Sequence, residues 1–172
     1  MQDIWLARSA NPARETAYDL VADRKQDGVL FNTDSQAANT VTLEWLRRQP
    51  WDEYTYGESR VYFFMRRGDE KYLMEVKGCT LERDGIGCFP DAPTERGTRH
   101  LRELAAAVSE GWRAAVVFVM QADGMETVLP NTETDPAFAA ALEDAARAGV
   151  RILSLPCHVE PDRLEIAGGI TL

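Results

Sequence analysis

Glu75 and Lys77 stand two residues apart in the run KYLMEVK, residues 71–77, whose side chains alternate in character. In an extended strand Leu73, Glu75 and Lys77 point to one face, and Tyr72, Met74 and Val76 point to the other. A carboxylate and an ammonium on one strand face form a metal-and-nucleophile pair. The carboxylate holds a hard cation such as Mg²⁺, and the ammonium steadies a phosphate oxygen or an attacking water. The solvated face of an ordinary strand offers the same spacing, so Glu-x-Lys alone does not separate the two readings. The string FPDAPTERG, residues 89–97, is more specific. Pro90 and Pro93 fix the approach to an amphipathic helix, Thr94 can cap it, and Glu95 and Arg96 fall in its first turn. Asp91, Glu95 and Arg96 therefore carry two readings. They shape the helix start, or Arg96 and the helix N-terminus bind a phosphate beside Glu75.

The elements that must position these groups follow from periodicity. Short strands are expected over residues 4–8, 18–21 and 29–31, with a polar turn at residues 9–12. A helix is expected over residues 36–48, capped by Asp34 or Ser35 and stopped by Pro50. Residues 51–57 read as a short extended segment. Residues 60–66 and 71–77 then read as a hairpin across a four-residue loop, which sets Tyr62 opposite Glu75 and Arg60 opposite Lys77. After FPDAPTERG comes a helix to about residue 110 with Leu101, Leu104, Ala105 and Val108 as its apolar stripe. Residues 113–121, RAAVVFVMQ, form a continuous apolar run that suits a central strand buried on both faces. Residues 122–134 are polar and irregular. Asp135 caps a helix begun by Pro136 and ended by Gly149, residues 150–155 form a further buried strand, and residues 159–166 a closing hairpin. The expected core is Val61, Phe63, Met74, Val76, Leu101, Leu104, Val117, Val119, Phe138, Leu142 and Ile152. The order of elements predicts an α/β protein with a mixed sheet flanked by helices. It is one domain over residues 1–172, with residues 1–33 a leading β segment and 34–172 the α/β core.

The strings EVKG-x-TL, FPDAPTERG and His100-Leu101-Arg102-Glu103-Leu104 closely resemble the sugar fermentation stimulation protein A family, from about Ile4 to the C-terminus. The resemblance implies a restriction-endonuclease-like core and a role on DNA. Nucleases of this class need an acidic residue on the first hairpin strand and Glu-x-Lys on the second, so that two carboxylates offset a divalent cation. Two departures bear on that expectation. The family's leading barrel domain, of the oligonucleotide-binding type, is not matched; the chain begins where that barrel would end. Where the family carries Ser-Arg, one apolar residue, Asp and Phe, this sequence has Ser59-Arg60-Val61-Tyr62-Phe63. A phenol with a pKa of about 10 is a poor ligand for Mg²⁺ at neutral pH. Glu58, Asp91 or Glu95 would be the substitute carboxylates, and Glu75 and Lys77 would otherwise pair with each other. Glu44 matches a helical glutamate of the family and also reads as a plain surface carboxylate.

The net charge of −9 argues against strong non-specific nucleic-acid binding, yet Arg60, Arg66, Arg67, Arg96, Arg99 and Arg102 cluster near the charged centre in sequence. Three cysteines, Cys79, Cys88 and Cys157, suit a reducing compartment; a tight turn over residues 82–85 would set Cys79 opposite Cys88 in a hairpin, as two free thiols in preference to a disulfide or metal pair. No apolar run is long enough to span a bilayer and the N-terminus lacks the pattern of a secretory signal, so a cytoplasmic protein without a membrane partner is expected. Three functional classes remain. One is a nuclease-fold, DNA-associated protein with an impaired metal site, binding DNA and Mg²⁺ or Mn²⁺ weakly. Another is an active metal-dependent nuclease built on Glu75, Lys77 and a substitute carboxylate, with Arg60, Asp91, Glu95 and Arg96 at the phosphate. The third is a protein-binding subunit for a companion chain that supplies the barrel.

Overall fold

The structure, a computed structural model, describes residues 3–9, 15–56 and 62–168. The chain opens with β1 (Ile4–Arg8), β2 (Tyr18–Arg24) and β3 (Leu30–Asn32), which pair antiparallel as a small sheet of their own. Next come α1 (Ala37–Leu46), β4 (Glu53–Tyr56) and the hairpin of β5 (Tyr62–Arg67) with β6 (Glu70–Cys79). A second short hairpin, β7 (Glu82–Arg83) and β8 (Ile86–Phe89), leads into α2 (Glu95–Ser109) and then β9 (Arg113–Met120). The remaining elements are β10 (Thr127–Pro130), α3 (Pro136–Arg147), β11 (Arg151–Glu160) and β12 (Arg163–Ile166). Six strands form one mixed sheet in the order β12-β11-β9-β6-β5-β4, parallel at its centre and antiparallel at both edges.

Side-chain alternation divides this sheet between two cores. Phe63, Met65, Tyr72, Met74 and Val117 face α1, packing with its Val41, Trp45 and Leu46. Leu73, Val116 and Phe118 face α2 and α3, packing with Leu101, Leu104, Phe138 and Leu142. Every residue of β9 after Arg113 is buried because both of its faces are covered. Each fully buried Phe or Met contributes about 1.5–3 kcal/mol relative to exposure.

The local signals are honoured at most joints. The hairpin register pairs Tyr62 with Glu75 and Arg66 with Lys71. Thr94 caps α2, its Oγ1 accepting from Gly97 N at 3.0 Å. Asp135 caps α3 through Phe138 N at 2.9 Å, with Pro136 in the first turn. Gly149, with φ of 100°, supplies the left-handed residue that ends the helix.

Other joints differ from expectation. No side chain caps α1 at Gln36; Asp34 Oδ1 instead accepts from Gln36 N at 2.9 Å and turns the chain before the helix. Residues 127–130 are a strand, β10, because β8 offers them a parallel edge. The expected strand and closing hairpin near the C-terminus share one long strand, β11. It continues through Pro156, where its pairing passes from β9 to β12. Cys88 N bonds to Leu81 O, so Cys88 stands across from Leu81 and not from Cys79. Of the expected core, Ile152 is 39% exposed, since α2 lies over β9 and β6 and leaves that part of β11 open. Val76 is half-buried and Val61 lies outside the described residues.

Candidate functional site

The alternation of β6 places Leu73, Glu75 and Lys77 beneath α2. The Glu75 side chain is 2% exposed. Its Oε1 accepts from Lys77 Nζ at 2.6 Å and meets His100 Nδ1 at 2.5 Å. Its Oε2 is buried with no hydrogen-bond partner among the described residues. Leaving a buried acceptor bare costs about 1–3 kcal/mol, more for a charged group. This oxygen is therefore the point of the site where an added donor would be received.

Tyr62 lies directly across from Glu75 on β5. Its ring sits 5.4 Å from the His100 ring, centroid to centroid, and its hydroxyl donates to Glu103 Oε2. Arg99 Nε reaches the other Glu103 oxygen at 3.5 Å. Burial pushes the Tyr62 phenol well above its ordinary range, reinforced by the bond to Glu103 and then by the negative charge of Glu75. At neutral pH the hydroxyl keeps its proton and acts as a donor.

Helical geometry explains which α2 residues reach this cluster. Residues three and four apart share a face, so Arg96, Arg99, His100 and Glu103 form one stripe above β6 and β5. Among the described residues Arg96 has no ion-pair partner and is exposed one turn before His100. Glu95 turns the other way, into a groove of about 330 Å³ shared with Pro93, Thr98, Arg102 and Asp135. Asp91 is exposed at the end of β8's loop, and Arg60 lies outside the described residues, as does Glu58. Glu44 lines a groove of about 400 Å³ with Trp5, Val21, Asp34 and Arg163, on the α1 side of the sheet and away from Glu75.

Two supports hold the segments that bear the site. Asp135 Oδ2 accepts from Thr94 N at 2.8 Å while its Oδ1 caps α3, so one carboxylate secures the starts of both helices. These two backbone donors, that of Thr94 first, hold the Asp135 carboxyl below the usual carboxylate range. At the far end of β6, Gly78 leaves room for Gln121, whose Nε2 donates to Asn32 Oδ1 at 3.0 Å and so ties β3 to the central sheet. Cys79, Cys88 and Cys157 are free thiols, and burial pushes Cys79 and Cys157 each up to about 12.

His100 and Glu103 belong to one of the strings that carry the family resemblance, but the sequence assigns neither a role at the site. A histidine beside the Leu101 and Leu104 stripe reads as core filling, and its meeting with Glu75, 25 residues earlier, is a tertiary fact. The available signal was spacing: with Thr94 as cap, Arg96 and His100 fall one turn apart on the helix face turned to β6.

Residues 33–163 match the model of the sugar fermentation stimulation protein RE domain. A sugar fermentation stimulation protein homolog of Desulfitobacterium hafniense strain Y51 is 43% identical over 176 residues, covering 98% of this chain and 77% of that protein. A homolog of the same description from Ruminiclostridium cellulolyticum is 39% identical over 171 residues, covering 95% and 75%. The solved structure of Pyrococcus furiosus SfsA in complex with Ca²⁺ is similar with a TM-score of 0.76 and 26% identity, covering 94% of this chain and 73% of that one.

Proposed function

Starting from the fact that the chain belongs to the sugar fermentation stimulation protein family, we propose that it is a nuclease-fold, DNA-associated protein whose metal site is impaired. The observation that carries this reading is Tyr62 across from Glu75, its hydroxyl turned to Glu103. The Pyrococcus furiosus relative is described with Ca²⁺. The described residues do not fit a hard divalent cation, which takes several anionic or carbonyl oxygens. Glu75 contributes one bare oxygen, its other is shared between Lys77 and His100, and the phenol across from it stays neutral. Among the described residues no three carboxylate, histidine or cysteine side chains converge on one point.

What the site retains is a means of holding a phosphate. Lys77 is partly exposed beside Glu75, and Arg96 and Arg99 line the stripe of α2 above it. Association with DNA is weak and falls with salt, because these few cations act against a net charge of −9. The test is a titration with duplex and single-stranded oligonucleotides at low and physiological salt, with a cleavage assay in Mg²⁺ and Mn²⁺. Weak, salt-sensitive binding without cleavage is expected. Cation-dependent cutting that is lost in Glu75→Ala overturns the impaired site, and absence of binding at low salt overturns the DNA association.

A second reading, a protein-binding subunit, is favoured by the outer face of the β1–β2 pair. There Ile4, Leu6, Tyr18 and Leu20 are all exposed. Such a subunit would lack the salt-dependent DNA binding just described.

A further inference from the structure

On the face of the sheet that carries Glu75, α2 lies over β9 and β6 and stops short of the antiparallel edge. Glu53 and Thr55 of β4 and Phe64 and Arg66 of β5 are exposed there. Phe64 follows Tyr62 by two residues, so its ring stands on the same face about 7 Å farther along the strand. It is 40% exposed. Trp112, immediately before β9, meets it edge-on with ring centroids 6.3 Å apart and an interplanar angle of 72°. Lys71 Nζ lies 5.3 Å from the Trp112 ring centroid and has no carboxylate partner among the described residues. The sheet thus presents an aromatic surface with a cation at its margin, continuous along β5 with the Glu75 cluster.

Phe64 presents a partly open ring face, and Lys71, held over Trp112, has no carboxylate partner among the described residues. The ring keeps apolar area that a partner could cover, and the ammonium keeps donors that a partner could engage. Both features are satisfied together by one chemical class. A nucleobase offers a flat π-face to Phe64, and its phosphate offers negative charge to Lys71. We propose that Phe64, Trp112 and Lys71 form a stacking subsite for an unpaired nucleobase, on the same sheet face as the phosphate-holding cations Lys77, Arg96 and Arg99. The inference rests on the DNA-associated reading above and gives it a substrate class: single strands, or the unpaired ends and bulges of duplexes. Stacking needs a base whose face is free, which an intact duplex does not offer.

The experiment compares the full chain with Phe64→Ala and Phe64→Leu in binding a fluorescein-labelled oligothymidine and a blunt duplex, at low salt. Because Phe64 is partly exposed, both variants keep the fold, checked by thermal melting, and Phe64→Leu preserves bulk without the π-face. The wild type should favour the single strand, and both variants should bind it about 5- to 150-fold more weakly, the range of one lost stacking contact. Duplex binding should change little. Equal single-strand affinity in wild type and both variants overturns the subsite while leaving DNA association standing. A wild type that prefers the duplex does the same. A wild type that binds neither nucleic acid overturns both readings. Unchanged nucleic-acid binding with altered self-association in Phe64→Ala, measured by sedimentation, would assign the patch to protein and also overturn it.

Discussion

Replacing Tyr62 with aspartate tests the central argument most directly. Tyr62 and Glu75 are a cross-strand pair, whose β-carbons lie about 5 Å apart. Tyr62→Asp puts a second carboxylate there and removes the ring that packs on His100. At an effective dielectric of about 20, two like charges 5 Å apart repel by about 3 kcal/mol. Lys77 beside Glu75 offsets part of this, and loss of the half-buried ring adds about 1–2 kcal/mol. The metal-free variant should therefore be several kcal/mol less stable than the wild type. A cation between the carboxylates reverses the sign of their coupling. At 100 times its dissociation constant it returns about 2.7 kcal/mol, which for a domain of this size is a rise of about 5–11 °C in melting temperature. The assay is thermal melting with EDTA and with a Mn²⁺ series, for wild type, Tyr62→Asp and Tyr62→Asp with Glu75→Ala. A Mn²⁺-dependent rise is expected in Tyr62→Asp and should vanish when Glu75 is also removed. A rise of equal size in the wild type would refute the impaired-site reading, because a substitute ligand would then already complete the site.

Two further outcomes concern the supports of the site. Asp135→Asn keeps the cap on Phe138 but turns an amide toward Thr94 N–H, so a loss of about 1–3 kcal/mol is expected in chemical denaturation. The same variant should flatten the acid limb of the stability curve. The native Asp135 carboxyl lies below its ordinary 3.8, so its contribution is present above that pH and disappears as pH falls through the lower folded value. Glu82, held low chiefly by Lys25 and then by Gly85 N–H, keeps a residual acid limb in that variant. Gly78→Ala places a methyl 1.9 Å from Gln121 Oε1, which forces the amide away from Asn32. A cost of about 1–3 kcal/mol, read from urea midpoints, should follow.

How much of this could be read from the chain depends on how local each signal is. Tyr62 opposite Glu75 was legible because a short turn at Gly68 and Asp69 and a period of two fix a hairpin register within fifteen residues. The caps at Thr94 and Asp135 were legible for the same reason, since their partners lie three residues on. β10 was not, because it is a strand by virtue of β8, some forty residues earlier, and only Val128 of its four residues is buried. Pro156 hid the continuity of β11, since a proline ordinarily marks a break and here falls where one ladder hands over to another. The site was legible in part. Glu75 and Lys77 announce themselves by spacing, whereas His100 and Glu103 acquire their partners only when α2 is laid across the sheet.

The bond between Thr94 and Asp135 also sets a sequence in time. It joins positions 41 apart, and during synthesis the N-terminal part is available first. The β5–β6 hairpin and much of α2 can form while Asp135 is still to come, since their contacts are local and quick to close. The turn leading into α2, with Pro90 to Thr94, gains its anchor only after β9 and β10 have been threaded and α3 has begun. Until that moment Thr94 N–H lacks its native acceptor, and the start of the helix bearing Arg96 and His100 lacks this tie to α3. The segment bearing the charged cluster therefore depends, for one of its anchors, on a residue made more than thirty positions after Glu103.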